Sequence, residues 1–188
     1  MRMKRLICVF TAFVLMAALT ACGSNPAATQ DPAESAAESE AVQVMFATEN
    51  LSLEPVTSEE LFAGNKVTMI NVWATFCGYC IEEMPDLEEL SGRLQEKGCG
   101  IIGVVGDVEG VNDEEHLQQA LEILETTGVT YPNLLPWDHW DAMLPVPGFP
   151  TTFFVDSEGN IIGEPAVGAR GADDYEALLD ETLAAIGE

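Results

Sequence analysis

Basic residues are scarce in this 188-residue chain: seven Lys and Arg stand against 32 Asp and Glu, for a formal net charge of −25 at pH 7. Arg2, Lys4 and Arg5 crowd the first five positions, so the remainder keeps only Lys66, Arg93, Lys97 and Arg170. They form no patch, and a surface this acidic repels a phosphate backbone, which excludes nucleic acid as a partner. A long hydrophobic run is also missing. The apolar stretch from Leu6 to Leu19 falls short of the roughly 20 residues that a membrane-spanning helix needs. A second pair of closely spaced cysteines or histidines is absent as well, so no complete four-ligand zinc pattern can be read.

What the N-terminus does contain is an ordered set of export signals. The basic start Met1-Arg2-Met3-Lys4-Arg5, the short apolar stretch and the closing Leu19-Thr20-Ala21-Cys22 read as a secretory signal peptide over residues 1–21. Leu-Thr-Ala-Cys at this place resembles the lipobox of bacterial lipoproteins, which implies that Cys22 becomes the lipidated first residue and a membrane anchor. Residues 22–43 are Ala, Ser, Pro and Glu with almost nothing to bury, and read as a disordered acidic tether of very roughly 25 Å mean reach. A folded domain is expected over residues 44–188.

Five cysteines then sort themselves. Cys8 leaves with the signal peptide and Cys22 carries lipid, so Cys77, Cys80 and Cys99 remain. In an exported protein, a pair two residues apart is expected to be oxidised at least part of the time. Cys99, preceding an apolar run, reads as a small buried hydrophobe. The pair itself admits three readings: a metal half-site, an inert structural disulfide, or a dithiol that exchanges electrons with other proteins.

Hydrophobic periodicity places the pair between two elements. Val67 to Val72 is a short apolar run suited to a strand buried on both faces, and Ile81, Leu87, Leu90 and Leu94 recur at helical spacing up to Lys97-Gly98. Cys77 therefore sits at a helix N-terminus. A second buried-type strand follows at 101–105. Next comes a helix capped by Asn112 or Asp113 that ends at Gly128, with Leu117, Ala120, Leu121 and Leu124 on one face. Tyr131 to Leu135 adds a short strand. Residues 149–156 form another, joined by a turn at 157–160 to an antiparallel partner at Ile161-Ile162-Gly163. A final helix from about Ala172 to Ile186 buries Tyr175, Leu178, Leu179, Leu183 and Ile186. This order describes an α/β fold, a central sheet with helices on both faces.

The run Trp73-Ala74-Thr75-Phe76-Cys77-Gly78-Tyr79-Cys80, with Pro85 five residues on, resembles the active-site segment of the thioredoxin superfamily. Phe149-Pro150-Thr151 resembles its cis-proline loop, and Val167-Gly168-Ala169 the end of its last strand. The extra strand and helix around residues 107–135, together with the lipobox, are similar to the TlpA/ResA group of membrane-tethered thiol-disulfide oxidoreductases. The resemblance implies a thioredoxin-like fold with a central mixed sheet and a strand-helix insertion. It implies that Cys77 attacks and Cys80 resolves, their disulfide being the redox centre, with no further cofactor and no metal. Trp73, Phe76, Gly78, Tyr79, Phe149, Pro150 and Thr151 would support the site and its substrate groove. The implied activity is reduction of disulfides in exported proteins, at the outer face of the cell membrane. Apocytochromes c or peptide methionine sulfoxide reductases would be clients, and a membrane protein of the CcdA or DsbD type the electron donor. Physical chemistry agrees on the attacker, since a helix N-terminus stabilises a thiolate.

Two departures from the superfamily bear on mechanism. Asn71 stands where cytosolic thioredoxins have a buried aspartate, so a proton relay would have to come from elsewhere, with Glu82 and Glu83 as substitutes. Gly78-Tyr79 replaces the usual residues between the cysteines, a position that tunes redox poise and leaves open an oxidant of the same fold. The acids Glu82, Glu83, Asp86, Glu88 and Glu89 disfavour a nearby thiolate, with no Lys or Arg close in sequence. They predict a Cys77 pKa nearer thioredoxin's than a strong oxidant's. A copper or zinc metallochaperone would need Cys99, His139 or Met84 as further ligands. Trp137 and Trp140, flanking His139, read as packing of the insertion or as a groove wall, and His116 as surface.

Overall fold

The computed structural model describes residues 43–188, and the chain segments expected to be signal peptide, lipid anchor and most of the tether lie outside them. The first elements are a two-stranded antiparallel ribbon, β1 (Ala47–Glu49) and β2 (Pro55–Thr57), and the short helix α1 (Ser58–Phe62). Thr57 starts α1 through a capping box with Glu60, two orphan backbone donors satisfied reciprocally.

β3 (Val67–Trp73) is buried at every position, as its unbroken apolar run predicts for a central strand. It leads through Ala74–Cys77 into the long helix α2 (Gly78–Glu96), and β4 (Gly100–Val105) returns parallel to β3. The next stretch comprises α3 (Glu114–Thr127), β5 (Asn133–Leu134) and the single turn α4 (Trp140–Met143). Then β6 (Thr151–Asp156) runs antiparallel to β3, β7 (Ala166–Val167) runs antiparallel to β6, and α5 (Ala172–Ala185) ends the fold. The five-stranded sheet has the order β5-β4-β3-β6-β7, mixed as expected.

Alternation along β3 sorts the core. Val67, Met69 and Trp73 point to the face covered by α2, α3 and α5, while Ile70 and Val72 join Phe46, Phe62, Trp137 and Leu144 on the other. The parallel strands β3, β4 and β5 deliver their C-terminal ends to one end of the sheet, where the Cys77 turn follows β3.

Several expectations need correction. α3 starts at Asp113 and stops at Gly128 in the left-handed conformation, as read, but buries only Ala120 completely; Leu121 is exposed because the helix covers an edge of the core. The Phe149–Pro150 bond is cis, and β6 begins at Thr151 because Pro150 has no N–H for a ladder. The turn at 157–160 is present, yet its return at Ile161 is a single bridge to Val155, and the paired edge strand is β7. Ile186 lies just beyond α5 and is exposed.

Candidate active site

Cys77 and Cys80 are joined as a disulfide with their Cα atoms 5.3 Å apart. Cys77 is the N-cap of α2, with an extended backbone, and its sulfur accepts from the Cys80 backbone N–H at 3.2 Å. The helix start thus aims a backbone donor at the sulfur, where negative charge would develop. Both cysteines are largely covered, but unequally: Cys77 keeps 8% of its surface accessible and Cys80 only 1%.

The turn before Cys77 is held from the loop after β4. Asp107 accepts from the Thr75 backbone N–H with both carboxylate oxygens at 3.0 Å, and from the Thr75 hydroxyl at 2.6 Å. Below it Trp73 is fully buried, its indole N–H donating to Asn133 Oδ1 at 2.8 Å, so this residue supports the site from beneath and does not line a groove. Around the pair, Phe76 and Tyr79 are 73% and 72% exposed. Phe149 meets the Phe76 ring edge-on at 5.8 Å. Gly78 is exposed, with open space where a Cβ would stand. Pro150 is buried and its carbonyl accepts from Gly168 N–H at 2.9 Å; Thr151, also buried, donates its hydroxyl to the Gly148 carbonyl.

A carboxylate does lie beneath the pair, and it comes from α2. Glu83, three residues after Cys80 on the same helix face, is only 4% exposed, whereas Glu82 is exposed. Its Oε1 accepts from Asn71 Nδ2 at 2.9 Å, and its Oε2 from the Arg170 backbone N–H at 2.9 Å and the Tyr175 hydroxyl at 3.1 Å. Burial holds the Glu83 carboxyl above the ordinary carboxylate value, an effect offset in part by the hydrogen bonds from Arg170, Asn71 and Tyr175. Sequence reading weighed Glu83 equally with Glu82, although helical spacing from Cys80 separates the two. Asp107, Thr152, Arg170 and Tyr175 were not singled out for the site; no local signal marks them, because each arrives from a different element.

A cation remote in sequence, Arg170, reaches the Glu83 side of the site. Its guanidinium donates to the Val167 and Gly168 carbonyls and lies 6.0 Å from the centre of the Tyr175 ring. The donors considered for a metal do not converge on the pair. Cys99 is buried in the cluster with Leu90 and Leu94, beyond the far end of α2, and His139 is exposed at the start of α4. Met84 accepts a hydroxyl from Thr127, and no group of three or more His, Cys, Asp or Glu in ligating geometry occurs among the described residues. Trp137 stacks on Phe46 with centroids 4.1 Å apart, as core packing, while half-buried Trp140 approaches Gly106 next to Phe149. His116 caps back onto Asp113 at 2.8 Å, and that carboxylate holds its imidazole above the usual value.

Comparison with known proteins agrees with this geometry. The family model described as Redoxin matches residues 31–179. The thioredoxin-like protein YneN of Bacillus subtilis (strain 168) is 30% identical over 135 residues, which cover 72% of this chain and 75% of YneN. The thiol-disulfide oxidoreductase ResA of Halalkalibacterium halodurans is 30% identical over 122 residues, 63% of each chain. Among solved structures, a thiol:disulfide interchange protein of the thioredoxin family from Chlorobium tepidum TLS superposes with a TM-score of 0.64 at 22% identity. That match covers 78% of this chain and 99% of the other, and it establishes the thioredoxin-like fold.

Proposed function

Because the chain belongs to the Redoxin family and is a thiol-disulfide oxidoreductase of the TlpA/ResA-like kind, we propose that Cys77 and Cys80 are its redox centre and that it reduces disulfides in exported proteins. The observation that carries this reading is the unequal accessibility of two bonded cysteines at the start of α2, with Cys77, at the N-cap, less covered than Cys80 one turn in. In the reduced protein the Cys77 thiolate attacks one sulfur of a client disulfide; a bond forms from Cys77 Sγ to that sulfur, and the second client sulfur leaves as a thiolate. Cys80, losing its proton, then attacks Cys77 Sγ, closes the intramolecular disulfide and releases the first client sulfur. Two electrons pass to the client, and two protons complete its thiols. Glu83 is the buried carboxylate on the Cys80 face of α2 and takes the Cys80 proton. The electrons reside in the cysteine pair, so the reaction needs no other cofactor.

The exposed rings of Phe76 and Tyr79, with Phe149 and the Pro150–Thr151 turn, form the surface on which an extended client segment rests. Lipidation at Cys22 and an acidic tether to residue 43 hold the domain, 44–188, outside the cytoplasmic membrane. The clients are exported thiol proteins, with apocytochromes c and peptide methionine sulfoxide reductases as the classes that the resemblance implies. A membrane donor of the CcdA or DsbD type returns the pair to the dithiol. The acidic α2 supports reduction over oxidation, because carboxylates near Cys77 disfavour its thiolate and so lower the oxidising power of the disulfide.

Equilibration of the pair in glutathione or dithiothreitol buffers tests the direction. A reduction potential near or below about −270 mV is expected; one near about −120 mV would instead make the protein a disulfide-forming oxidant with the same residues. Replacing Cys80 by Ser should trap clients as mixed disulfides on Cys77, and failure to trap any thiol protein in cells would overturn the assignment of the pair.

A further inference from the structure

The C-terminal helix reaches the site through one oxygen. Tyr175, in the first turn of α5, is fully buried, and its hydroxyl lies 3.1 Å from Glu83 Oε2. Thr152 on β6 donates its hydroxyl hydrogen to the same phenol oxygen at 3.2 Å. Thr152 accepts in turn from Asn71 Nδ2 at 3.1 Å, and that amide's contact to Glu83 Oε1 closes a ring.

The ring has a single sense. The two Asn71 amide hydrogens go to Glu83 and to Thr152, the Thr152 hydrogen goes to Tyr175, and the Tyr175 hydrogen is left for Glu83. Arg170 N–H adds a fixed donor at 2.9 Å to the oxygen that Tyr175 already serves. Asn71, Tyr175 and Arg170 each direct a hydrogen at Glu83, and none of these partners presents an acceptor to it, so the ring favours the carboxylate against the opposing effect of burial.

We propose that Tyr175 is a positioning residue that holds Glu83 as the carboxylate able to accept the Cys80 proton, so that the last helix governs how readily the mixed disulfide resolves. The proposal rests on the reading of Glu83 given above. The titratable and charged groups around Glu83 are Tyr175 on α5, Arg170 before α5 and Tyr131 before β5, with Cys80 one turn earlier on its own helix; β3 and β6 contribute only neutral Asn71 and Thr152. Burial holds both tyrosines in their neutral forms, so Tyr175 acts on Glu83 as a donor.

An aromatic disulfide that releases one coloured thiolate on attack by Cys77 and a second on closure by Cys80 separates the two steps in stopped flow. The second phase should show an acid limb as Glu83 takes up its proton. Glu83→Gln should abolish that limb, and Tyr175→Phe should move it up by about one pH unit relative to the first phase, the shift equivalent to one lost hydrogen bond to a charged group. If Glu83→Gln keeps the limb, the role of Glu83 fails. If Glu83→Gln abolishes it and Tyr175→Phe leaves it in place, the Tyr175 proposal fails and the Glu83 reading stands. Should Tyr175→Phe not fold, Thr152→Val, which removes the hydrogen that orients the phenol, decides: a limb moved upward supports the proposal and an unmoved one overturns it.

Discussion

Replacing Gly103 by Ala should be among the most damaging single-methyl changes available to this protein. Gly103 sits mid-strand in β4, opposite Asn71 of β3 and Asn133 of β5. A Cβ there would lie 1.9 Å from Asn133 Oδ1 and 3.1 Å from Trp73 Nε1. Asn133 cannot retreat without cost, because it is buried and doubly held: its Oδ1 accepts from the Trp73 indole and its Nδ2 donates to the Tyr131 carbonyl at 3.0 Å. Overpacking costs about 1–3 kcal/mol, and leaving a buried indole N–H without its acceptor about 1–3 more. The sum, about 2–6 kcal/mol, is a large part of the roughly 5–15 kcal/mol that stabilises a domain. Urea unfolding of the oxidised protein, followed by circular dichroism and tryptophan emission, measures it. The midpoint should fall with the slope unchanged, and Gly103→Ala combined with Asn133→Ala should cost less than the two single costs added, since the clash is gone. A loss below about 1 kcal/mol would refute the argument that the Trp73–Asn133 bond requires a glycine at 103.

Two further outcomes follow from the site. Asp107→Ala removes the acceptor of three contacts from Thr75 and should destabilise the oxidised protein by about 1–3 kcal/mol while slowing exchange. Asp107→Asn should lie between it and the wild type in thermal unfolding, and wild-type behaviour of the alanine variant would show that Thr75 is held by other means. The second concerns pH. The folded-state pKa of Glu83 is raised, so the unfolded chain ionises first, and the associated stability is full below about 4.5 and lost as pH rises through the folded value. In the disulfide form, where neither thiol of the pair titrates, Glu83→Gln should flatten that decline in denaturant midpoints from pH 4.5 upward. Parallel profiles for the two proteins would contradict it.

Much of the molecule can be read from residue order, because the signals involved are local. The apolar run of β3, the helical spacing after Cys80 and the Asp113 and Gly128 boundaries of α3 each depend on neighbours within a turn or two of chain. So does the placement of Cys77 at the N-cap, which follows from a strand ending and a helix beginning around a CxxC pair. Strand pairing was less legible. Ile161 pairs with β6 as expected but only through a bridge to Val155, and the edge strand that extends the sheet is Ala166–Val167, of which the resemblance marked only the end.

The chain order of residues therefore determined an α/β fold, a CxxC pair at a helix start and a strongly acidic composition, while the proline loop came from the resemblance. Only the tertiary structure chose Glu83 over Glu82 and surrounded it with Asn71, Thr152, Arg170 and Tyr175. Tyr175 is 92 residues from its carboxylate partner, and no local pattern encodes that separation. The physical reason is the range of the forces: helix spacing and caps are set by bonds closed within a few residues, whereas a buried carboxylate needs donors from several elements and finds them only once the sheet and α5 have closed over it.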